Sequence, residues 1–262
     1  MPHFKQGTNL RYLTFDLLER EQVPHGVITR QGGVSPAPWY SLNFGGTVGD
    51  DPQRVRKNHD IAFDQLGFQR SDIFDVWQVH GVDVVVAEKP HSPHVLHQKA
   101  DIILTKSPDV VLFMRFADCV PILLYDPIQL VVGIAHAGWQ GTVKLAAASA
   151  VQEMVDRFQS KPADLIAAIG PAIGPDHYEI GSDVAQRVLM AFADDHEDLL
   201  ISQNGSLYLD LWEANRRLLI HSGVNQIEQA QICTACDPDD WYSHRRDQGK
   251  TGRFGVFIRL PA

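Results

Sequence analysis

CVPILLYDPIQLVVGIAH, residues 119–136, holds two apolar runs of strand length joined by Asp126-Pro127-Ile128-Gln129. Asp and Pro are favoured at the first and second positions of a β-turn, so the segment reads as a β-hairpin. Pairing Asp126 with Gln129 sets Cys119 directly opposite His136. Opposed residues in an antiparallel pair carry Cβ atoms roughly 4.5–5.5 Å apart on one face, close enough to share an ion or each other's proton. Two features loosen that register. A two-residue type I or II loop splays its strands, and Pro121 has no N–H for the ladder.

A Cys and a His within apolar strands are by themselves more often core residues than ligands; their neighbours change the weighting. His136 runs into Ala137-Gly138-Trp139-Gln140-Gly141-Thr142, a small-residue turn into an Ala-rich stretch, so its ring stands where a strand meets a helix N-terminus. Arg115, Ala117 and Asp118 give Cys119 a polar approach. Strand ends that face helix N-termini are common places for sites. His80, in Trp77-Gln78-Val79-His80-Gly81, is a third candidate. Two imidazoles and a thiolate suit zinc with its fourth position open to water or substrate, the catalytic arrangement rather than the structural one. The same mixture of soft sulfur and imidazole would suit copper.

Outward from the hairpin, strands are expected at HGVITR (25–30), VDVVVA (82–87), DIILT (101–105), VVLFMRF (110–116) and GVFIRL (255–260). Helical spacing covers 51–66, with Asp50 or Asp51 as cap and Pro52 in the first turn, and 142–158. Weaker helical patterns fit 182–193 and 210–221. Strands and helices are interspersed without regular βαβ alternation, which favours a mixed or antiparallel sheet covered by helices over a doubly wound parallel one. No repeat or linker interrupts the chain, so 1–262 reads as one domain.

Composition narrows the function. The chain has 262 residues, a net charge of −9 and 44% hydrophobic content, enough to bury a core without disulfides. Cys119, Cys233 and Cys236 are too few for a secreted disulfide framework, and MPHFKQGTNL carries no basic-then-apolar signal segment, so a reducing cytoplasmic setting is expected. No apolar run reaches a membrane span, so no membrane partner is expected. An acidic chain with scattered basic residues also lacks the concentrated patch that nucleic acids require.

Other constellations compete with the hairpin pair. Cys233-Thr-Ala-Cys236 could be a redox pair or half of a zinc site, and His177-Tyr-Glu179 resembles the H-x-E element of zinc deaminases. That signature wants Pro before its first Cys, where Ile232 stands, so Cys233 and Cys236 read as structural. His91, His94 and His97 recur every third residue, but Pro93 breaks any helix that would align them, and a solvated loop is expected. Gly170-Pro171-Ala172-Ile173-Gly174-Pro175 is a double turn, neither a Walker loop nor a dinucleotide fingerprint. Arg30, Lys57 and the pair Arg245-Arg246 are the basic residues that could clamp a phosphate.

TRQGGVS (29–35), SLNFGGTVGDDPQRVRKN (41–58), QVHG (78–81), ADCVPILLYDP (117–127), AHAGWQGT (135–142), IGPAIGP (169–175), YEI (178–180) and SHRRDQGKTGRFGVFI (243–258) together resemble the YfiH family, also called the laccase-domain or peptidoglycan editing factor family. The resemblance runs in order along nearly the whole chain. It departs at Ala172, where many relatives carry Cys, and at His244, where an aromatic residue is expected before the Arg pair. The resemblance implies a four-layer α/β/β/α mixed-sheet sandwich, similar to the catalytic domain of cytotoxic necrotising factor toxins. It implies a zinc site at the positions of His80, Cys119 and His136, which are then also the catalytic residues. It further implies phosphorolysis of adenosine, inosine, guanosine and methylthioadenosine, together with adenosine deamination. Older family labels imply a copper-dependent polyphenol oxidase, and some members are linked to editing of peptidoglycan precursors. A metal-free Cys–His hydrolase is the reading by analogy with the toxin fold.

On that resemblance, purine nucleosides and phosphate are the expected partners of a monomer or weak dimer. Phosphorolysis needs an anion oriented beside C1′, for which Arg30, Asn43, Lys57 and Arg246 are the candidates. A laccase relay is disfavoured, since one Cys and two His cannot supply several copper centres.

Overall fold

A computed structural model describes residues 2–92 and 95–261, the side chain of Asp194 excepted. Along the chain run β1 (His3–Gln6), β2 (Arg11–Thr14), α1 (Asp16–Arg20), β3 (His25–Ile28), α2 (Pro52–Leu66), β4 (Ile73–Phe74), β5 (Val84–Val86), β6 (Ile102–Thr105), β7 (Val111–Phe116), β8 (Val120–Asp126) and β9 (Val131–Ala137). They continue with α3 (Trp139–Val143), α4 (Ala146–Phe158), β10 (Ile166–Ile169), β11 (Glu179–Ile180), α5 (Ser182–Phe192), β12 (Leu200–Gln203), β13 (Ser206–Leu209), α6 (Leu211–His221), β14 (Gln226–Gln229) and β15 (Phe254–Ile258).

Two six-stranded mixed sheets carry the architecture, ordered β1-β2-β3-β15-β7-β4 and β14-β10-β8-β9-β6-β5. A small third sheet, β11-β13-β12, stands beside them. Strand periodicity explains the layers. In β7, Val111 and Phe113 pack with Ala62 and Phe63 of α2, whereas Leu112, Met114 and Phe116 face the second sheet. In β8, Leu123 and Tyr125 point into that inter-sheet core, whereas Val120, Ile122 and Leu124 meet α4 and α6. Each central strand is thus buried on both faces, which is why its sequence reads as an unbroken apolar run. Helix, sheet, sheet and helix are the four layers expected from the resemblance.

Helix α2 begins as its sequence suggests, with Asp51 accepting from the Gln53 N–H and Pro52 at the first position. The helix expected over 142–158 is two helices instead. Leu145 adopts a left-handed backbone, φ 66°, which ends α3 and starts α4 on a new axis.

The hairpin forms, with a different register. Asp126 pairs with Val131 and Pro121 with His136, so the loop holds four residues rather than two. Asp126 Oδ1 accepts from the N–H groups of Ile128 and Gln129, and Leu130 turns back at φ 54°. The aspartate therefore caps a wider loop than the Asp-Pro pattern alone indicates. A slip of two residues preserves the side-chain faces, because strand periodicity is two. Cys119 thus sits one diagonal step from His136 rather than opposite it, and still on its side of the sheet.

Candidate active site

Cys119 stands at the entrance to β8, His136 near the end of β9, and His80 in the loop before β5. Their ligating atoms all lie within 4.8 Å of one another. The His80 and His136 rings meet edge to face with centroids 4.9 Å apart. His80 has a left-handed backbone, φ 59°, and its N–H is fixed by Asp101. Gly138, directly after β9, closes the group from above. A Cβ there would stand 2.7 Å from Cys119 Sγ and 3.3 Å from His80 Cδ2, so only glycine leaves room for both side chains.

Asp101 organises the three. Wholly buried at the start of β6, its carboxylate accepts from the N–H groups of Val79, His80 and Gly81 at 3.0, 3.0 and 2.6 Å. The same carboxylate meets His136 Nδ1 at 2.8 Å. With Nδ1 as donor, Nε2 of His136 is left to face Cys119 and His80. The sequence reading missed Asp101. Its signal was an acidic residue opening an otherwise apolar buried strand, Asp101-Ile102-Ile103-Leu104.

The electrostatics follow from this packing. Burial raises the Cys119 thiol, but the His136 and His80 rings outweigh it and bring the pKa down to about 6. Burial also lowers the His136 imidazole, yet the Cys119 charge and the Asp101 carboxylate push it up to about 9. The protein therefore stabilises a thiolate, the form in which Cys both ligates metals and attacks electrophiles. Two nitrogens, a thiolate and an orienting carboxylate on one imidazole are a fitting donor set for a divalent cation.

The trio lies in the wall of a cavity of about 720 Å³. Trp77, Trp139 and Tyr178 supply aromatic faces, and Arg115, Arg245 and Arg253 supply positive charge. Arg115 is bound to Asp75 at 2.6 Å. Among the described residues, neither Arg245 nor Arg253 forms an ion pair, so their charge is available to an anion. Arg245 lies over the Tyr178 ring at 4.9 Å and donates to Glu179 O. Arg253 is held at its backbone N–H by Asn43 Oδ1, 2.9 Å away.

The four residues expected to bind phosphate do not line this cavity. Arg30 donates to Tyr40 O and Pro238 O and lies over the Tyr242 ring, bracing loops. Lys57 is exposed on α2. Arg246 is tied to Asp247, Thr234 O and Trp241 O. Asn43 is wholly buried and acts through Gly45 and Arg253. Within the SHRRD segment it is the first Arg, not the second, that reaches the cavity. His91 and His97, expected in a solvated loop, stack at 4.2 Å beside Asp75; His94 lies outside the described residues.

Comparison with known proteins places this geometry in a class. Residues 24–261 match the family model described as multi-copper polyphenol oxidoreductase laccase. The chain belongs to that family, the one that includes the YfiH and YlmD proteins. A purine nucleoside phosphorylase of Deinococcus radiodurans is 39% identical, over 91% of this chain and 90% of its own. Purine nucleoside phosphorylase YfiH of Escherichia coli is 34% identical, over 88% of this chain and 91% of its own. The crystal structure of YlmD from Geobacillus stearothermophilus superposes with a TM-score of 0.93 at 33% identity, each chain covered to 99%. No helix among the described residues is long and apolar enough to cross a membrane.

Proposed function

We propose that this chain is a zinc-dependent purine nucleoside phosphorylase acting on adenosine, inosine, guanosine and methylthioadenosine, with adenosine deamination as a second activity. The observation that carries the reading is the thiolate–imidazole trio set in the wall of an aromatic cavity that also presents two unpaired arginines. The names of the relatives support the phosphorylase assignment, and the cavity falls within the usual range for small-molecule sites.

His80, Cys119 and His136 would hold the cation, which supplies Lewis-acid charge beside the reacting centre. The remaining work belongs to the chain. Trp77, Trp139 and Tyr178 offer faces for a purine ring. Arg245 and Arg253 orient phosphate by charge-assisted hydrogen bonds. In phosphorolysis a phosphate oxygen bonds to C1′ as the C1′–N9 bond breaks and its electron pair passes to the purine. Positive charge held in place before the reaction stabilises the nucleophile's approach without reorganisation. Asp101 keeps His136 in one tautomer throughout.

The test is chromatography of inosine incubated with and without phosphate, alongside metal analysis of wild type and Cys119→Ala. Phosphate-dependent hypoxanthine is expected, with one zinc equivalent fewer in the variant than in wild type. Hypoxanthine release that ignores phosphate overturns phosphorolysis, and oxygen uptake with phenols at a copper-loaded site supports the oxidase instead. One observation favours a second reading: Asp101, His136 and Cys119 also have the order of a Cys–His–Asp nucleophile. Full activity in the presence of a chelator supports that metal-free hydrolase.

A further inference from the structure

Some distance along the chain from the trio, the turn 233–236 and the loop 174–178 bring a second set of soft donors together. Cys236 Sγ lies 3.6 Å from His177 Nδ1, and Cys233 Sγ lies 3.9 Å from the same nitrogen. Asp176 completes the group, with Oδ2 at 4.0 Å from Cys236 Sγ and Oδ1 at 3.0 Å from His177 Nδ1. Tetrahedral zinc with bonds of ~2.3 Å to sulfur and ~2.0 Å to nitrogen or oxygen places its ligand atoms roughly 3.3–3.8 Å from one another. The observed spacings bracket that range. From these distances we infer that Asp176, His177, Cys233 and Cys236 form a second metal site, a closed four-ligand zinc centre of structural type.

Three further features support it. Cys233-Thr-Ala-Cys236 has the ligand spacing of structural zinc turns. The Gly174 N–H donates to Cys233 Sγ at 3.2 Å, a hydrogen bond that steadies a thiolate. Gly174 is also where the two segments press closest: a Cβ there would stand 2.7 Å from Asp176 Oδ1 and 3.1 Å from Cys233 Cβ. Glu179, the acid of an H-x-E deaminase pattern, stands apart with its carboxylate on Ser206 Oγ at 2.6 Å. Four protein ligands that leave no coordination position open describe a clip, not a reaction centre.

The clip has a definite place in the molecule. Ala172 bridges to Cys233, and Thr234 Oγ1 donates to Asp118, the residue before Cys119. Ile173 and Tyr178, on the clipped loop, line the cavity. A cation here would fasten the wall of the candidate active site without touching its contents.

The test counts zinc by mass spectrometry in the Cys119→Ala background, so that the result is independent of the first site. That protein is expected to keep one equivalent, and Cys119→Ala with Cys236→Ser to lose it. Cobalt substitution of the single variant should give the strong visible bands and sulfur charge-transfer absorption of a tetrahedral dithiolate. Because Cys236 is exposed, the serine variant should fold, which a thermal melt checks. No zinc in folded Cys119→Ala overturns the inference, as does equal zinc in both variants. Denatured, unreduced protein whose Cys233 and Cys236 fail to react with a thiol reagent also overturns it, because the pair is then a disulfide.

Discussion

Replacing Asp101 by Asn tests the organisation of the site at its centre. The two side chains are isosteric, so packing is preserved and only charge and hydrogen-bond polarity change. One carboxylate oxygen receives His80 N–H and His136 Nδ1; the other receives Val79 and Gly81 N–H. An amide nitrogen at either position faces donors. Turned toward His136, it drives the proton to Nε2 and removes the lone pair that the metal needs. Turned toward Val79 and Gly81, it orphans two backbone donors and displaces the loop that carries His80. Lost orientation of a metal-bound His costs about 10–100-fold in affinity or activity, or roughly 1.4–2.7 kcal/mol. Each orphaned buried N–H costs a further 1–3 kcal/mol or so of fold stability. Competition with a chromophoric chelator measures the first cost, and urea unfolding the second. A folded Asp101→Asn protein that binds zinc within about twofold of wild type refutes the role given to Asp101.

Four other outcomes follow from the same structure. Gly138→Ala should push Cys119 Sγ off its position and weaken zinc binding at least as much as Asp101→Asn, since the new Cβ has 2.7 Å of clearance; unchanged zinc affinity would show the contact relaxes freely. Arg245→Gln should raise the KM for phosphate by about 10-fold or more, the loss expected for a charged hydrogen bond, with a smaller effect on the KM for inosine; equal effects on both substrates would count against a phosphate contact. His59, packed among Phe44, Phe63 and Phe113, is held neutral to about pH 3 by burial and then by the charges of Arg115 and Arg70. The unfolded chain binds that proton near pH 6.5, so this stability is complete above 6.5 and lost as pH falls; at pH 5 the loss is on the order of 2 kcal/mol, and His59→Phe should abolish that share of the acid sensitivity in urea unfolding. Leu123→Ala, in the core between the sheets, should cost about 2–5 kcal/mol while leaving the zinc content of the folded protein unchanged.

What the sequence makes legible depends on how local the signal is. Asp51-Pro52 announces α2 because capping is decided within one turn, and the apolar runs of β7, β8 and β9 announce buried strands because both their faces are covered. The hairpin β12–β13 carries an equally local signal, Asn204-Gly205 between strand residues, which was there to be read. The register of β8 and β9 was less accessible, because it depends on Asp126 capping two N–H groups that a turn rule does not see. The trio could be assembled from the sequence because strand pairing links two of its members and a motif the third. The arginines could not. Whether Arg245 or Arg246 reaches the cavity is set by Asp118, more than a hundred residues away in sequence, which takes the Arg245 N–H at 2.7 Å.

The family carries two chemical names, oxidase and phosphorylase, and the surroundings of the trio bear on the choice. Two imidazoles and one thiolate are also the equatorial set of an electron-transfer copper centre, which adds a weak axial ligand such as Met or a Gln oxygen. No methionine is among the described residues that line this cavity, and of its two lining glutamines, Gln78 and Gln140, Gln78 has its side-chain oxygen on Arg115 N and its amide on Arg115 O, at 3.0 and 2.8 Å. A redox centre also gains from a shielded, apolar shell, whereas this one opens on a cavity large enough for a substrate. Two arginines without an ion pair among the described residues make the cavity a local exception in a chain of net charge −9. The Arg245 guanidinium lies over Tyr178 and donates to Glu179 O, and the Arg253 guanidinium donates to Thr251 O and Gly252 O at 3.3 and 2.8 Å, so both groups are positioned before any substrate arrives. Fixed positive charge beside a bound divalent cation would lower the barrier for phosphate attack and would contribute little to outer-sphere oxidation of a phenol, which favours the phosphorylase.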